Sequence, residues 1–155
     1  MKTLVLGLGN PILGDDGVGF RVVQSLRDKV DSEGVTIIEA STSGLGLLDL
    51  LTDYDEAVII DAIQTDGGRV GEVYRLEARD FDATKHTASP HDINMATALE
   101  LGRRLKLHVP QRISIIAIEI PDALTFSEKC SPEVEKAIPV AVDVALTALR
   151  ERGNC

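Results

Sequence analysis

The stretch Thr3-Leu4-Val5-Leu6-Gly7-Leu8-Gly9-Asn10-Pro11-Ile12-Leu13-Gly14-Asp15-Asp16-Gly17-Val18-Gly19 passes from an apolar run, through a glycine-rich turn, into a helical period. Thr3–Leu8 is apolar almost throughout, as a strand covered on both faces should be. From Asp16 to Val30, the residues Val18, Val22, Val23, Leu26 and Val30 recur at helical spacing and predict an amphipathic helix. A buried strand that turns sharply into a helix is the first half of a strand–helix–strand unit, and the rest of the chain repeats it.

Val35–Ala40 reads as a second strand, Leu45–Leu51 as a helical segment and Ala57–Asp61 as a third strand. The turn signal Asp66-Gly67-Gly68 precedes a more polar edge strand over Gly71–Glu77. Arg79–Pro90 reads as a loop. A helix is expected from His91 to about Leu105, with Ser89 and Pro90 at its start. Arg112–Ile120 is the most apolar strand. Pro132 opens a last helix whose inner stripe is Val134, Ile138, Ala141, Ala145 and Leu149, with a kink or break expected at Pro139. Parallel strands joined by helical crossovers predict a three-layer α/β/α sandwich: a mostly parallel five-stranded sheet with one antiparallel edge strand. With 155 residues and no linker or repeat, residues 1–155 are expected to form one domain.

Composition narrows the function. Aromatic residues are only 3% and Trp is absent, so the core must be aliphatic. The formal net charge of −9 argues against nucleic acid, whose phosphates call for Lys and Arg, and against an anionic membrane surface. The opening residues read as a strand and not as a secretory segment, and no apolar run could span a bilayer. A cytoplasmic location and reduced Cys130 and Cys155 are therefore expected, and a monomer for want of a clear signal of an exposed apolar patch.

In open parallel sheets, sites form at the carboxyl ends of strands where strand order reverses. Asp15 and Asp16 follow the first strand, Asp61 ends the third, and His91 begins a later helix opening on the same edge. Each residue also has an ordinary structural reading: an N-cap for Asp15 or Asp16, a turn former for Asp61, a solvent-facing ring for His91. Two carboxylates brought together repel, and a divalent cation resolves that conflict. Carboxylate oxygen and imidazole nitrogen at about 2.0–2.2 Å suit a zinc-like or nickel-like ion and leave a position open on it. The glycine turn fails the dinucleotide pattern at Ile12 and lacks the Lys-Ser/Thr of a P-loop. Its acids also stand where a phosphate would dock. The glycines serve instead to bring the backbone close to a neighbour.

The string Gly7 to Gly19 resembles the opening of the hydrogenase maturation proteases, which show a Gly-x-Gly-Asn turn, an acidic pair and then Gly-x-Gly. The resemblance continues in Val58-Ile59-Ile60-Asp61-Ala62 and in Ser89-Pro90-His91-Asp92. It implies that Asp16, Asp61 and His91 are the metal-binding and catalytic positions, with Gly9, Asn10, Asp15 and Gly17 shaping the loop around the substrate. Asp16 stands where other members carry Glu. The resemblance further implies an endopeptidase that removes the C-terminal extension of a [NiFe] hydrogenase large-subunit precursor once nickel is inserted. The metal would be the nickel of the substrate, with no organic cofactor. Two alternatives stay open: a non-catalytic nickel-binding or docking chaperone, and an enzyme similar to peptidyl-tRNA hydrolases. The latter share the Gly-Leu-Gly-Asn-Pro turn but place a histidine shortly after it, where the region around Phe20 offers none.

Overall fold

The computed structural model describes residues 1–31, 33–42, 45–77, 87–88, 95–121, 126–127 and 129–152. Its strands are β1 (Thr3–Leu8), β2 (Val35–Ala40), β3 (Glu56–Thr65), β4 (Val73–Glu77), β5 (Thr87–Ala88) and β6 (Arg112–Glu119). The helices are α1 (Val18–Leu26), entered through a 3-10 turn at Gly14–Gly17, then α2 (Leu45–Leu51), α3 (Met95–Arg104) and α4 (Pro132–Arg150). The sheet runs in the order β2-β1-β3-β6-β4. β2, β1, β3 and β6 are parallel, and β4 pairs antiparallel with β6 at one edge. The short β5 pairs antiparallel with the far end of β3.

Alternation along the strands sorts the core into two layers. Val5, Ile60, Ile116 and Ile118 pack with Val18, Val22 and Leu26 of α1 and with Val134, Ala141 and Ala145 of α4. On the opposite face, Leu4, Leu6, Ile59 and Ile115 pack with Leu47 and Leu51 of α2 and with Leu99 of α3. Helices on both faces of a mostly parallel sheet make the expected α/β/α sandwich.

Several elements differ from those read in the sequence: β4 begins at Val73 and not at Gly71, and Thr87–Ala88, inside the expected Arg79–Pro90 loop, is the strand β5. α1 ends at Leu26, and the chain to Val30 closes as turns in which the Lys29 and Val30 N–H groups donate to the Leu26 carbonyl. β3 does not stop at Asp61 but runs to Thr65, because Ile63 still pairs with Glu119 and Thr65 pairs with Thr87. α4 is unbroken across Pro139, which is exposed, so water can solvate the carbonyl that loses its helical partner. His91–Asn94 and most of the Arg79–Pro90 loop lie outside the described residues. Among the described residues no helix is long and apolar enough to cross a membrane.

The strand order reverses between β1 and β3: the chain leaves β1 for β2 on one side and returns to β3 on the other. α1 is seated directly on that junction. A Cβ on Gly19 would lie 2.6 Å from the Ile60 carbonyl oxygen and closer still to that of Leu8. Both obstacles are backbone, so neither can swing aside. Gly19→Ala should therefore lower stability by about 2–3 kcal/mol, read as a fall in the urea midpoint at unchanged slope. An unchanged midpoint would mean that the helix is not seated this tightly.

Candidate functional site

The 3-10 turn places Asp15 and Asp16 at the carboxyl end of β1, beside the carboxyl half of β3 that carries Asp61. All three are buried: Asp16 is 1% exposed, Asp61 7% and Asp15 9%. Acids at such depth need compensation. For Asp15 it comes from across the fold, where Oδ1 accepts the Ser131 N–H at 2.6 Å, at the residue that caps α4. Asp15 thus does not cap its own helix; it ties the β1–α1 loop to the β6–α4 connection. Asp61 Oδ1 accepts the N–H of Ala62 at 2.8 Å, which fixes the orientation of its carboxylate.

The surrounding loop is held by its own backbone. Asn10 Oδ1 accepts the Ile12 N–H at 3.2 Å, and the Asn10 N–H donates to the Asp16 carbonyl at 3.3 Å. A Cβ on Gly9 would overlap that same Asp16 carbonyl, and one on Gly17 would stand 3.1 Å from Pro11 Cα. Gly9, Asn10, Asp15 and Gly17 therefore do shape the loop that carries Asp16. His91 lies outside the described residues, so its place relative to the two carboxylates is not part of this geometry. Among the described residues no group of three His, Cys, Asp or Glu side chains forms a metal-holding cluster. Asp16 and Asp61 could supply two oxygen ligands of the kind a hard or borderline divalent ion accepts.

Two other polar groups stand apart from this pair. Glu119, 2% exposed, ends β6, and its carboxylate accepts the Thr65 N–H at 2.8 Å, the Thr65 hydroxyl and the Tyr74 hydroxyl at 3.2 Å. Nothing but its place at the end of an isoleucine-rich run marked it in the sequence. His108 lies at the opposite, amino edge of the sheet, with Nε2 2.7 Å from Asp55 Oδ1. There the Lys2 N–H and then His108 hold the Asp55 carboxyl below the usual carboxylate range. An open cleft of about 590 Å³ lined by Arg21, Lys129, Cys130, Pro132 and Glu135 flanks α1 and α4. It contains none of Asp16, Asp61 and Asp15, and Arg21 is already paired with Glu135 at 2.8 Å. The chemistry is better placed at the strand ends.

Cys130 half-faces that cleft. Burial, and then the charge of Asp15, push its thiol up to about 11. A thiol is a nucleophile only as thiolate, so Cys130 is inert at neutral pH. Alkylation of the Cys130 peptide, followed by mass spectrometry against pH, should show a midpoint near 11 in the wild type. Asp15→Asn should shift that midpoint downward, because the charge that raises it is gone; an unmoved midpoint would uncouple the two residues.

The fold matches those of known proteins. A family model described as hydrogenase maturation protease matches residues 20–148. The hydrogenase 2 maturation protease of Escherichia coli strain K12 is 31% identical over 155 residues, covering 99% of this chain and 93% of that protein. The solved structure of the hydrogenase maturating endopeptidase HybD from E. coli gives a TM-score of 0.84 at 31% identity, covering 99% of this chain and 94% of that one. A [NiFe] hydrogenase maturation protease HybD from Thermococcus kodakarensis gives 0.75 at 27% identity, covering 96% and 99%. With a family match over most of its length and a relative of this identity along nearly all of it, the chain belongs to the hydrogenase maturation protease family, and is an endopeptidase.

Proposed function

We propose that this protein removes the C-terminal extension from the nickel-loaded precursor of a [NiFe] hydrogenase large subunit, recognising the ion through Asp16, Asp61 and His91. The observation that carries this reading is the pair of buried carboxylates, Asp16 and Asp61, at the strand-order reversal of a protease of this family. Buried like charges disfavour one another, and a divalent cation arriving with the substrate offsets that cost. The nickel is part of the substrate, not a resident cofactor, and the reading needs no organic cofactor. The protein acts on it as a cytoplasmic monomer.

The role of the residues follows from their chemistry. Two carboxylates and an imidazole suit a first-row divalent ion. The bond from Ala62 N–H to Asp61 Oδ1 presets one ligand, as outer-shell partners of metal ligands commonly do. Ligation holds the scissile peptide beside the ion, so that proximity lowers the barrier and a bound divalent ion supplies carbonyl polarisation. Asp16, one carbon shorter than the Glu of other members, keeps the charge and shortens the reach.

The test mixes purified protein with nickel-loaded and nickel-free precursor and follows the precursor by intact mass. Loss of a defined C-terminal peptide from the loaded form alone is the expected result. Asp16→Asn and Asp61→Asn should each slow that loss about hundredfold or more while the circular dichroism stays that of the wild type. Cleavage of both forms would remove nickel recognition, full processing by Asp16→Asn would sink the ligand role, and tight binding without cleavage would point to a docking module.

A further inference from the structure

We infer that Ile12 and Phe126 form an apolar grip for the precursor's polypeptide next to the bond that is cut; this rests on the protease reading above. Ile12 is 55% exposed and Phe126 77%. They stand on different connections, one leaving β1 and the other leaving β6, and β3 with Asp61 lies between those two strands in the sheet. The connections are joined over that intervening strand. The Ser127 N–H donates to the Ile12 carbonyl at 3.0 Å, and the Gly14 N–H donates to the Ser127 carbonyl at 2.7 Å. Leu13 and Ser127 thereby form a parallel bridge. Asp15 adds a second tie at Ser131.

Ile12 and Phe126 thus flank a backbone bridge that joins the two connections, and Ile12 is four residues from Asp16. The other exposed large apolar side chains among the described residues are elsewhere: Met1, Leu105 and Leu107 by the amino edge, Val140 on α4. The fold gains nothing from holding an isoleucine and a phenylalanine in water at this edge. A polypeptide whose cut bond sits near Asp16 and Asp61 must lie along this bridge, and continuity with that site makes the precursor the occupant. The chemistry selects an uncharged stretch with an aliphatic or aromatic side chain, since an acidic one would meet a protein of net charge −9. Connections tied to each other by backbone bonds lose less freedom on binding than untied ones would.

The experiment is steady-state cleavage of nickel-loaded precursor by wild type, by Ile12→Ser/Phe126→Ser and by Phe126→Leu. Burial of two such side chains, already partly covered in the free protein, corresponds to about hundredfold in affinity. The double variant should therefore raise KM by that factor, with kcat within about twofold and the thermal midpoint unchanged, and Phe126→Leu should retain most of the wild-type KM. An unchanged KM in the double variant, or a loss confined to kcat, would overturn the inference. So would a wild-type dimer that the double variant converts to monomer, because the patch would then belong to a second copy. If the wild type itself leaves the loaded precursor intact, the protease reading falls first.

Discussion

The close approach of the first helix to the ends of β1 and β3 is the constraint on which the rest of the molecule depends. It works because three backbones meet where side chains are missing: Gly19 fits against the carbonyls of Leu8 and Ile60, Gly7 against Gly19, and Gly9 against Asp16. Each contact would be lost to a single methyl group. Through them the acidic turn is drawn down to the sheet instead of standing off in solvent, and that is why Asp15 and Asp16 are buried. The same glycines that could suggest a phosphate cradle therefore serve the opposite electrostatic purpose. They present negative charge at a helix mouth, where the backbone dipole would favour an anion, and so hold the acids that a cation can use.

The apolar grammar of the chain carried most of the fold. β1 and β6 are covered on both faces, so they read as unbroken hydrophobic runs, and the helical stripes of α1 and α4 name the residues that do fall in the core. Boundaries were harder, because they are set by partners. The end of β3 is prolonged by strands that begin far along the chain, so Asp61, read as a strand terminus, lies within a strand. Of the candidate site, Asp16 and Asp61 were visible because sheet topology sends residues after parallel strands to one edge. Asp15 was legible as an acid of the helix mouth, but its partner, the Ser131 N–H, is 116 residues away and leaves no local signal. Glu119 and the bridge between Leu13 and Ser127 were missed for the same reason. His91 falls outside the described residues, so its part rests on the sequence resemblance.

The two edges of the sheet handle charge differently. At the amino edge, Asp55 meets His108 and the Lys2 N–H on the surface, where water and salt screen the interaction. At the carboxyl edge the acids are buried and each accepts a backbone donor: Ser131 N–H for Asp15, Ala62 N–H for Asp61, and Thr65 N–H for Glu119, which also accepts the Thr65 and Tyr74 hydroxyls. A backbone donor neutralises a carboxylate less than a Lys or Arg would. Buried carboxylates at this edge are a local source of negative potential. In the proposed function this potential acts on the substrate's ion at contact distance, where the low dielectric of the aliphatic layers magnifies it. The surface acids are screened within about 10 Å and act only on what comes that near. The aliphatic core and the acidic site are in this sense one design. The first supplies the dry walls, and the second is effective because of them.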